Sequence, residues 1–329
     1  MERNETEALF EETVVRRYVA RMAGAPPVAT AICHPCSGVA LRGAVEAAAA
    51  GLIVPILVAP PDSLARVAEA EGLDIGGFEV HPAEHSHHAA ELAVALCRSG
   101  AARLLMKGSL HTDELMHAVT AQATGLRTER RISHVFVMTT PALPRPLLIS
   151  DAAINIAPDL LEKADIVQNA IDLAHVLGLK LPKVAILSAV ETVNPKLRST
   201  IDAAVLCKMA DRGQITGALL DGPLAFDNAI SAEAAAIKGI RSEVAGQADI
   251  LIVPDLESGN MLAKQLDYLG GALAAGLVMG ARVPIVLTSR ADRAPARLAS
   301  CAIGALVAAA GHVAIGIKPG DPAVHGPAQ

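Results

Sequence analysis

The chain has 329 residues, of which 52% are hydrophobic and only 2% aromatic, and it carries a net charge of −6 at neutral pH. This length and composition can fill a large aliphatic core and exclude an intrinsically disordered chain. The negative charge speaks against a general nucleic-acid-binding protein, which normally shows a basic surface. It leaves room for a small anionic ligand, since a few arginines suffice to bind one.

The cysteines and the apolar stretches indicate a reduced, cytoplasmic protein without a membrane segment. The five cysteines are scattered, and Cys33 and Cys36 have C-x-x-C spacing without a second Cys or His pair to complete a metal site. Residues 1–20 carry acidic side chains and lack the apolar run of a signal peptide. Arg282 and Pro284 interrupt the apolar residues 271–287, which predicts two buried strands instead of a membrane span.

Short apolar runs alternate with longer helical patterns along the whole chain. The runs predicted as strands are 28–32, 54–59, 103–107, 133–138, 146–150, 183–189, 215–220, 249–254, 274–279 and 284–288. Between most of them lie segments rich in Ala, Leu, Glu and Lys, such as 38–51, 158–178 and 295–311. This alternation is typical of an α/β fold with mostly parallel sheets. The Pro-rich segment 139–146 indicates a domain boundary.

Polar and charged residues follow several of the predicted strands, where ligands bind in α/β proteins. Ser, Thr, Asp and Asn at these positions are also ordinary helix caps, and Asp159 with Glu162 is predicted to form a capping box. Caps do not explain Lys107, Lys264 or Arg290, because a positive charge near a helix N-terminus opposes the helix dipole. These cations therefore indicate an anionic ligand.

Six segments of the chain resemble the phosphate acetyltransferase and phosphate butyryltransferase family. They are 105–119 ("LMKGSLHTDELMHAV"), 125–138, 150–174, 185–231, 244–266 and 280–302, the last containing "TSRAD". Such long ordered motifs are more specific than a short pattern, and the chain lacks G-x-G-x-x-G after a strand, G-x-x-x-x-G-K-[ST], H-E-x-x-H and G-x-S-x-G.

The resemblance implies the reaction acyl-CoA + phosphate ⇌ acyl phosphate + CoA, with an acetyl or butyryl group. It implies a direct transfer in a ternary complex, with coenzyme A as a substrate and no separate cofactor or metal. It also implies a homodimer of subunits with two α/β domains and a cleft between them, similar to isocitrate and isopropylmalate dehydrogenases. The first domain is expected to comprise residues 1–138 and 278–329, and the second, expected to form the dimer, residues 139–277.

The segment "SRAD" offers the three groups that this chemistry needs. Arg290 suits a bidentate phosphate contact, Ser289 can donate to the developing oxyanion, and Asp292 can accept the proton of the CoA thiol. Ser289 and Arg290 match a Ser-Arg pair in the site of the acetyl branch. The Asp proposed as base in that branch aligns instead with Ala296, so another group, or electrostatic stabilisation of the thiolate, remains an alternative to Asp292.

Other residues are candidate substrate contacts, each with a structural alternative. Lys107, Ser109 and His111 belong to a motif common to butyryl-type relatives. Asn155 and Asn260 match family-wide positions, but side chains of this type also form turn and cap hydrogen bonds. Lys264 could instead pair with Glu257 or Asp267 on the surface. The candidate contacts for the CoA phosphates are Arg127 and Arg130, with Arg131 beside them, although a charge run is more often a solvated face.

Two further functions stay open from the sequence. The first is a dehydrogenase of the same fold class, which can bind NAD without the dinucleotide fingerprint. The second is a non-catalytic CoA-binding protein.

Arg293 and Arg297 are four residues apart, so on a helix they would share a face toward CoA or solvent.

Overall fold

The computed structural model describes residues 5–288 and 292–311. Its helices are α1 Glu5–Ala20, α2 Gly38–Ala49, α3 Pro61–Glu71, α4 Ser86–Ser99, α5 Thr112–Thr120, α6 Leu160–Val176, α7 Arg198–Asp211, α8 Phe226–Ile230, α9 Ala232–Ile237, α10 Leu256–Tyr268 and α11 Ala294–Ala309. Its strands are β1 Val28–Cys33, β2 Ile53–Ala59, β3 Glu79–Pro82, β4 Leu104–Lys107, β5 Ser133–Thr139, β6 Leu147–Ser150, β7 Lys183–Leu187, β8 Leu219–Leu224, β9 Ile250–Ile252, β10 Leu273–Met279 and β11 Ile285–Val286.

All strands of the described chain join one mixed sheet in the order β3-β2-β1-β4-β11-β10-β5-β6-β9-β7-β8. The β3-β2-β1-β4-β11 half is parallel, and so is the β6-β9-β7-β8 half. The pairings β11–β10, β10–β5 and β5–β6 between them are antiparallel. The two parallel halves therefore point in opposite directions. The α/β class with mostly parallel pairing is confirmed.

Most predicted strands coincide with observed ones, and the two exceptions lie at the edges of the sheet. The prediction for residues 215–220 is displaced, because β8 runs from Leu219 to Leu224 and includes Pro223. An edge strand tolerates a proline, since one side of its backbone needs no partner. The strand β3 was not predicted, because three of its four residues are exposed and it carries no apolar run.

Local helix signals are also confirmed. Asp159 caps α6, its Oδ1 accepting the backbone N–H groups of Leu161 and Glu162 at 2.9 Å each, and Glu162 closes the capping box at the N–H of Asp159. Residues 271–287 form β10 and β11, as predicted. No helix in the described ranges is long and apolar enough to cross a membrane.

The two faces of the sheet differ in how they are covered. On one face a single apolar core extends across both halves, from Ile32 and Met106 to Val135 and Ile250. On the opposite face there are two separate clusters, one around Leu105 beneath α4 and α5 and one that includes Leu251. The boundary between these two clusters crosses β10 and β5, the long antiparallel strands at the centre of the sheet.

Candidate active site

The carboxyl ends of the two sheet halves meet at the same height in the middle of the sheet. Ser150 at the end of β6 pairs with Val135, which pairs with Leu277, then Val286 and then Met106, one residue before the end of β4. The strands β4 and β6 run in opposite directions, and their carboxyl ends therefore lie at the same level of the sheet. The loops that follow β4, β11 and β6 therefore leave the sheet on either side of the boundary between the two core clusters.

The ends of β4 and β11 are direct neighbours. Met106 and Val286 are the last residues paired between these two strands, and Lys107 and Leu287 follow them directly. The predicted catalytic residues Ser289 and Arg290 come next along the chain and lie outside the described residues. Asp292 is described and half-buried before the start of α11. The structure thus brings the "KGS" motif and the chain on either side of "SRA" to adjacent strand ends.

The segment after β4 is locked against the segment after β1. Gly108 and Ser109 donate their backbone N–H groups to Cys33 O and His34 O at 2.9 Å each, and Ser109 Oγ donates to His34 O at 2.8 Å. Lys107 is buried, and its Nζ donates to Leu110 O at 3.1 Å. The same Nζ also donates to Gly108 O at 3.4 Å, so two backbone carbonyls contact this buried positive charge at the strand end.

His111 lies at the start of α5 and has a structural role there. Its backbone N–H donates to Glu114 Oε2 at 2.9 Å, while its side chain is exposed. Hydrogen bonds from Ser86 and from the His111 backbone hold the pKa of Glu114 below its ordinary value. Contact of the His111 imidazole with substrate remains a prediction.

Asn155 is buried in the loop that follows β6, and its amide is used within the protein. Its Nδ2 donates to Ile132 O at 2.9 Å and to Asp151 Oδ2 at 2.6 Å, and its Oδ1 accepts from Arg131 Nε at 2.7 Å. Asp151 also accepts the backbone N–H groups of the residues after it. These hydrogen bonds agree with the structural role predicted as an alternative for Asn155, in which its amide stabilises a turn. A contact of Asn155 with substrate remains a prediction.

Asn260 and Lys264 lie on α10. Asn260 Nδ2 donates to Ala152 O at 3.2 Å and thereby ties α10 to the same loop. Lys264 is exposed and has no ion pair with the described residues. Asp267, one alternative partner for it, pairs instead with Arg293, whose Nη2 is 3.3 Å from Asp267 Oδ1. Lys264 thus remains available for an external anion.

The basic cluster lies apart from the β4–β11 edge, beside the first residues of β5 and α6. It borders a cavity of about 410 Å³. Arg130 pairs with Asp172, and Arg131 Nη1 lies 2.7 Å from Glu162 Oε1. Arg127 is exposed and has no acidic partner within the described part of the chain. The structure therefore does not bring Arg127 and Arg130 next to Lys107. Of the three arginines, Arg127 is the one without a carboxylate partner among residues 5–288 and 292–311.

Arg293 caps α11, and its backbone O accepts the N–H of Arg297 at 3.1 Å, so the two arginines are one helical turn apart. Arg293 is bound by Glu11 and Asp267. Arg297 is buried, and one of its Nη atoms donates to Asp292 O, while its Nε has no partner among the described residues. Neither arginine is an exposed surface cation, and Arg297 holds the backbone directly after residues 289–291.

Known proteins with similar sequences and structures define the family of this chain. Residues 83–305 match the model of the family described as phosphate acetyl/butaryl transferase. A phosphate acetyltransferase from Rhizobium meliloti is 64% identical over 293 residues, 89% of this chain and 93% of that protein. A phosphate butyryltransferase from Clostridium acetobutylicum is 44% identical over 258 residues, 78% and 86% of the two chains.

This chain belongs to the phosphate acetyl/butaryl transferase family. The crystal structure of a branched-chain phosphotransacylase from Enterococcus faecalis V583 superposes on it with a TM-score of 0.73 and 32% identity, covering 84% of this chain and 99% of that one. The family match includes every predicted site residue from Lys107 to Asp292. The resemblance inferred from the motifs is confirmed.

The thiols of this family member are not suited to accept an acyl group. Burial raises the pKa of Cys97, Cys207 and Cys301 to about 12 and also raises those of Cys33 and Cys36. A protonated thiol is a poor nucleophile. Among residues 5–288 and 292–311, no group of three or more His, Cys, Asp or Glu side chains is arranged to hold a metal ion.

The structure shows one buried polar residue near the centre of the sheet that the sequence interpretation overlooked. His134 lies within the predicted strand 133–138, in the pattern "SHVFVM", and is fully buried on the face where the two core clusters separate. The available signal was a histidine on an apolar face. A histidine there is more often a satisfied core residue, and only the tertiary structure shows that its Nδ1 has no partner within the described chain.

Proposed function

We propose that this protein catalyses acyl-CoA + phosphate ⇌ acyl phosphate + CoA with a short-chain acyl group. The observation that carries the proposal is that the "KGS" motif and Leu287, which precedes the "TSRAD" motif along the chain, lie at adjacent strand ends. It occurs in a chain that is 64% identical to a phosphate acetyltransferase. Its identity to a phosphate butyryltransferase, 44%, supports a short acyl group without choosing between acetyl and butyryl.

In this proposal the residues after β11 carry the chemistry. The guanidinium of Arg290 binds the phosphoryl group, for which its planar fork is suited. Ser289 donates to the carbonyl oxygen as it becomes the tetrahedral oxyanion. Asp292 accepts the thiol proton when CoA attacks the acyl phosphate; a free thiol has a pKa of about 8.5, so a base or a nearby cation assists its ionisation.

The substrate contacts are proposed around this centre. Lys107 supplies buried positive charge beside the phosphoryl site, and Ser109, held against His34 O, supports the same loop. Arg127 is the better candidate of the basic cluster for the CoA phosphates, because Arg130 is already neutralised by Asp172. Lys264 is a further exposed cation. His111, Asn155 and Asn260 complete the proposed set.

The acyl group passes directly between phosphate and CoA in a ternary complex. Support comes from the five cysteines, whose pKa values are all raised. A covalent acyl-thioester with the protein would need a thiolate, and such thiols do not supply one at neutral pH. Coenzyme A is then a substrate, and the reaction as written needs no metal or redox cofactor.

The proposed subunit has two domains, residues 1–138 with 278–329 and residues 139–277, with the dehydrogenase-like cleft between them. The separation of the apolar clusters on one sheet face supports this division. We also propose a homodimer in the cytoplasm, formed through residues 139–277. Most of the exposed large apolar side chains fall in that range, including Ile156, Ile237 and Leu269, so this part of the chain has more apolar surface to bury in a dimer than the rest.

The decisive experiment measures thioester formation from CoA and acyl phosphates of two to five carbons, by the ultraviolet absorbance of the thioester. Activity with at least one of them, with initial rates that fit a sequential and not a ping-pong scheme, is expected. The kcat/KM series over chain length then identifies the preferred acyl group. No turnover of any of these substrates by folded protein would refute the function.

Two parallel measurements test the alternatives. Turnover of NAD(P)H with a hydroxy acid would indicate the dehydrogenase. Binding of CoA by calorimetry without any transfer would indicate a non-catalytic CoA-binding protein. Sedimentation velocity tests the homodimer independently of activity.

A further inference from the structure

His134 occupies a central position on the divided face of the sheet. It is the second residue of β5, and its side chain is 1% exposed. Its ring packs edge-on against Phe136 at a centroid distance of 4.4 Å. The strand neighbours β10 on one side and β6 on the other, so this imidazole lies where the two core clusters separate and where the loops after β11 and β6 leave the sheet.

The imidazole lies across Gly276 and extends toward the end of β11. A Cβ atom added to Gly276 would stand 2.8 Å from His134 Nε2 and 3.3 Å from its Cε1. The same point is 3.3 Å from Leu287 O. The missing side chain of Gly276 thus makes the space that the ring occupies, and the Nε2–Cε1 edge points to the backbone two residues before Ser289.

The protonation state of His134 follows from its surroundings. Burial lowers its pKa to about 4, although the charge of Asp151 acts in the opposite direction. The ring is therefore neutral at neutral pH and carries one N–H. Its Nδ1 is buried without a partner in the described chain. Because orphaned buried N–H groups are rarer than bare acceptors, the proton is placed on Nε2, on the edge that faces the end of β11.

We propose that His134 donates a hydrogen bond from Nε2 to the carbonyl oxygen of the acyl group in the transition state, an inference that rests on the proposed transferase function. A phosphate oxygen attacks the carbonyl carbon, and the π pair moves to the carbonyl oxygen. The oxyanion is held by Nε2–H, which keeps its proton. The pair then re-forms the C=O bond as the carbon–sulfur bond breaks and the CoA thiolate leaves.

A neutral hydrogen-bond donor is better suited to the acyl carbonyl oxygen than to the phosphate. Phosphate carries its charge in both substrate and product and is best met by the cations of the site. The carbonyl oxygen acquires charge only in the transition state, where a fixed neutral donor in a buried setting contributes most. The packing against Phe136 and Gly276 holds the ring without reorganisation during the reaction.

The test compares three substitutions whose polar atoms differ in position. His134→Gln places an amide N–H near the Nε2 site, His134→Asn places one near the Nδ1 site, and His134→Leu has none. We expect kcat to fall by about 10²–10³ for Leu and Asn and by less than about tenfold for Gln. The KM values for CoA and acyl phosphate should stay within about threefold, since a transition-state contact acts on kcat. His175→Leu, at a histidine bound to Gly217 O, is the control and should retain wild-type kcat.

A double-mutant cycle gives a second, independent measurement. Gly276→Ala should lower kcat because its Cβ displaces the imidazole, and it should have little further effect when His134 is already Ala. Thermal unfolding of each variant shows which of them are folded. Wild-type kcat in His134→Leu, equal loss in the Gln and Asn variants, or additive effects of Gly276→Ala would each overturn the proposal. If the unmodified protein turns over none of the acyl phosphates, it is the transferase function that has failed.

Discussion

Replacing Gly108 by alanine would disturb the contact between the loops after β4 and β1. A Cβ on Gly108 would stand 2.5 Å from His34 O and 2.7 Å from His34 C, and it would be closer still to Cys33 O. Each of these neighbours is backbone, which cannot rotate away as a side chain can. Since an ordinary Cβ contact begins at 3.4 Å, the His34 oxygen must retreat by about 0.9 Å.

The expected loss of stability follows from the hydrogen bonds that this movement of His34 would stretch. The N–H groups of Gly108 and Ser109 donate to Cys33 O and His34 O at 2.9 Å, and Ser109 Oγ donates to His34 O at 2.8 Å. Overpacking costs about 1–3 kcal/mol, and each weakened hydrogen bond adds about 1 kcal/mol or less. We expect Gly108→Ala to lower the free energy of unfolding by about 2–4 kcal/mol, and displacement of the site by about 1 Å to lower kcat by about 10²-fold.

Thermal unfolding and acyl-phosphate turnover measure the two effects. The matched control is Gly77→Ala, because Gly77 is exposed and its added Cβ would meet no atom within 4 Å. That variant should retain wild-type stability and kcat. A Gly108→Ala protein with wild-type Tm and kcat would refute the reasoning, because the backbone contacts leave no alternative place for the methyl group.

The remaining predictions concern one buried ion pair and the residues proposed for catalysis. Lys163 Nζ lies 2.9 Å from Asp202 Oδ2, with both side chains buried, so Asp202→Asn should cost about 3–5 kcal/mol at pH 7 in denaturant unfolding. Burial alone would raise the pKa of Asp202, but hydrogen bonds from Arg198 and Lys163 outweigh it and hold the pKa below its ordinary value. The stabilisation is therefore present above the unfolded pKa of about 3.9 and lost as the pH falls through the folded value; a difference between wild type and variant that persists at lower pH would contradict this. Arg290→Ala should cut kcat/KM by orders of magnitude with unchanged circular dichroism, and near-normal turnover would remove Arg290 from the site. Asp292→Asn should lower kcat if the carboxylate is the base, whereas little loss would assign it to the helix start. Cys36→Ala should leave kcat within about twofold, because a thiol with a raised pKa is not the nucleophile; a total loss would argue for an acyl-enzyme.

Local patterns in the chain were sufficient for most elements of the fold. Apolar runs bounded by turn residues predicted the central strands, because a strand buried on both faces has no polar side to interrupt it. The capping box at Asp159 was predicted from residue types alone, since its hydrogen bonds connect residues only three apart. The edge strands β3 and β8 escaped this reasoning, because half-exposed strands lack a continuous apolar signal.

Some features of the candidate site could likewise be predicted from the sequence, while others depend on the tertiary structure. Ordered motifs identified the family and placed Lys107, Ser109 and Asp292 after strands, which is information carried along the chain. That β4 and β11 are neighbours while β6 ends level with them depends on strand order and register, and pairing between distant segments leaves no local trace. The same holds for charge. In the sequence Arg130 and Arg293 are indistinguishable from free cations, and only the fold pairs them with Asp172 and Glu11. In the same way, a histidine in an apolar strand is predicted to be an ordinary core residue, and only the packing shows that its Nδ1 has no partner in the described chain. Side-chain chemistry is a property of residues, but which groups are neutralised and which stay available is decided by contacts between parts of the chain that only folding brings together.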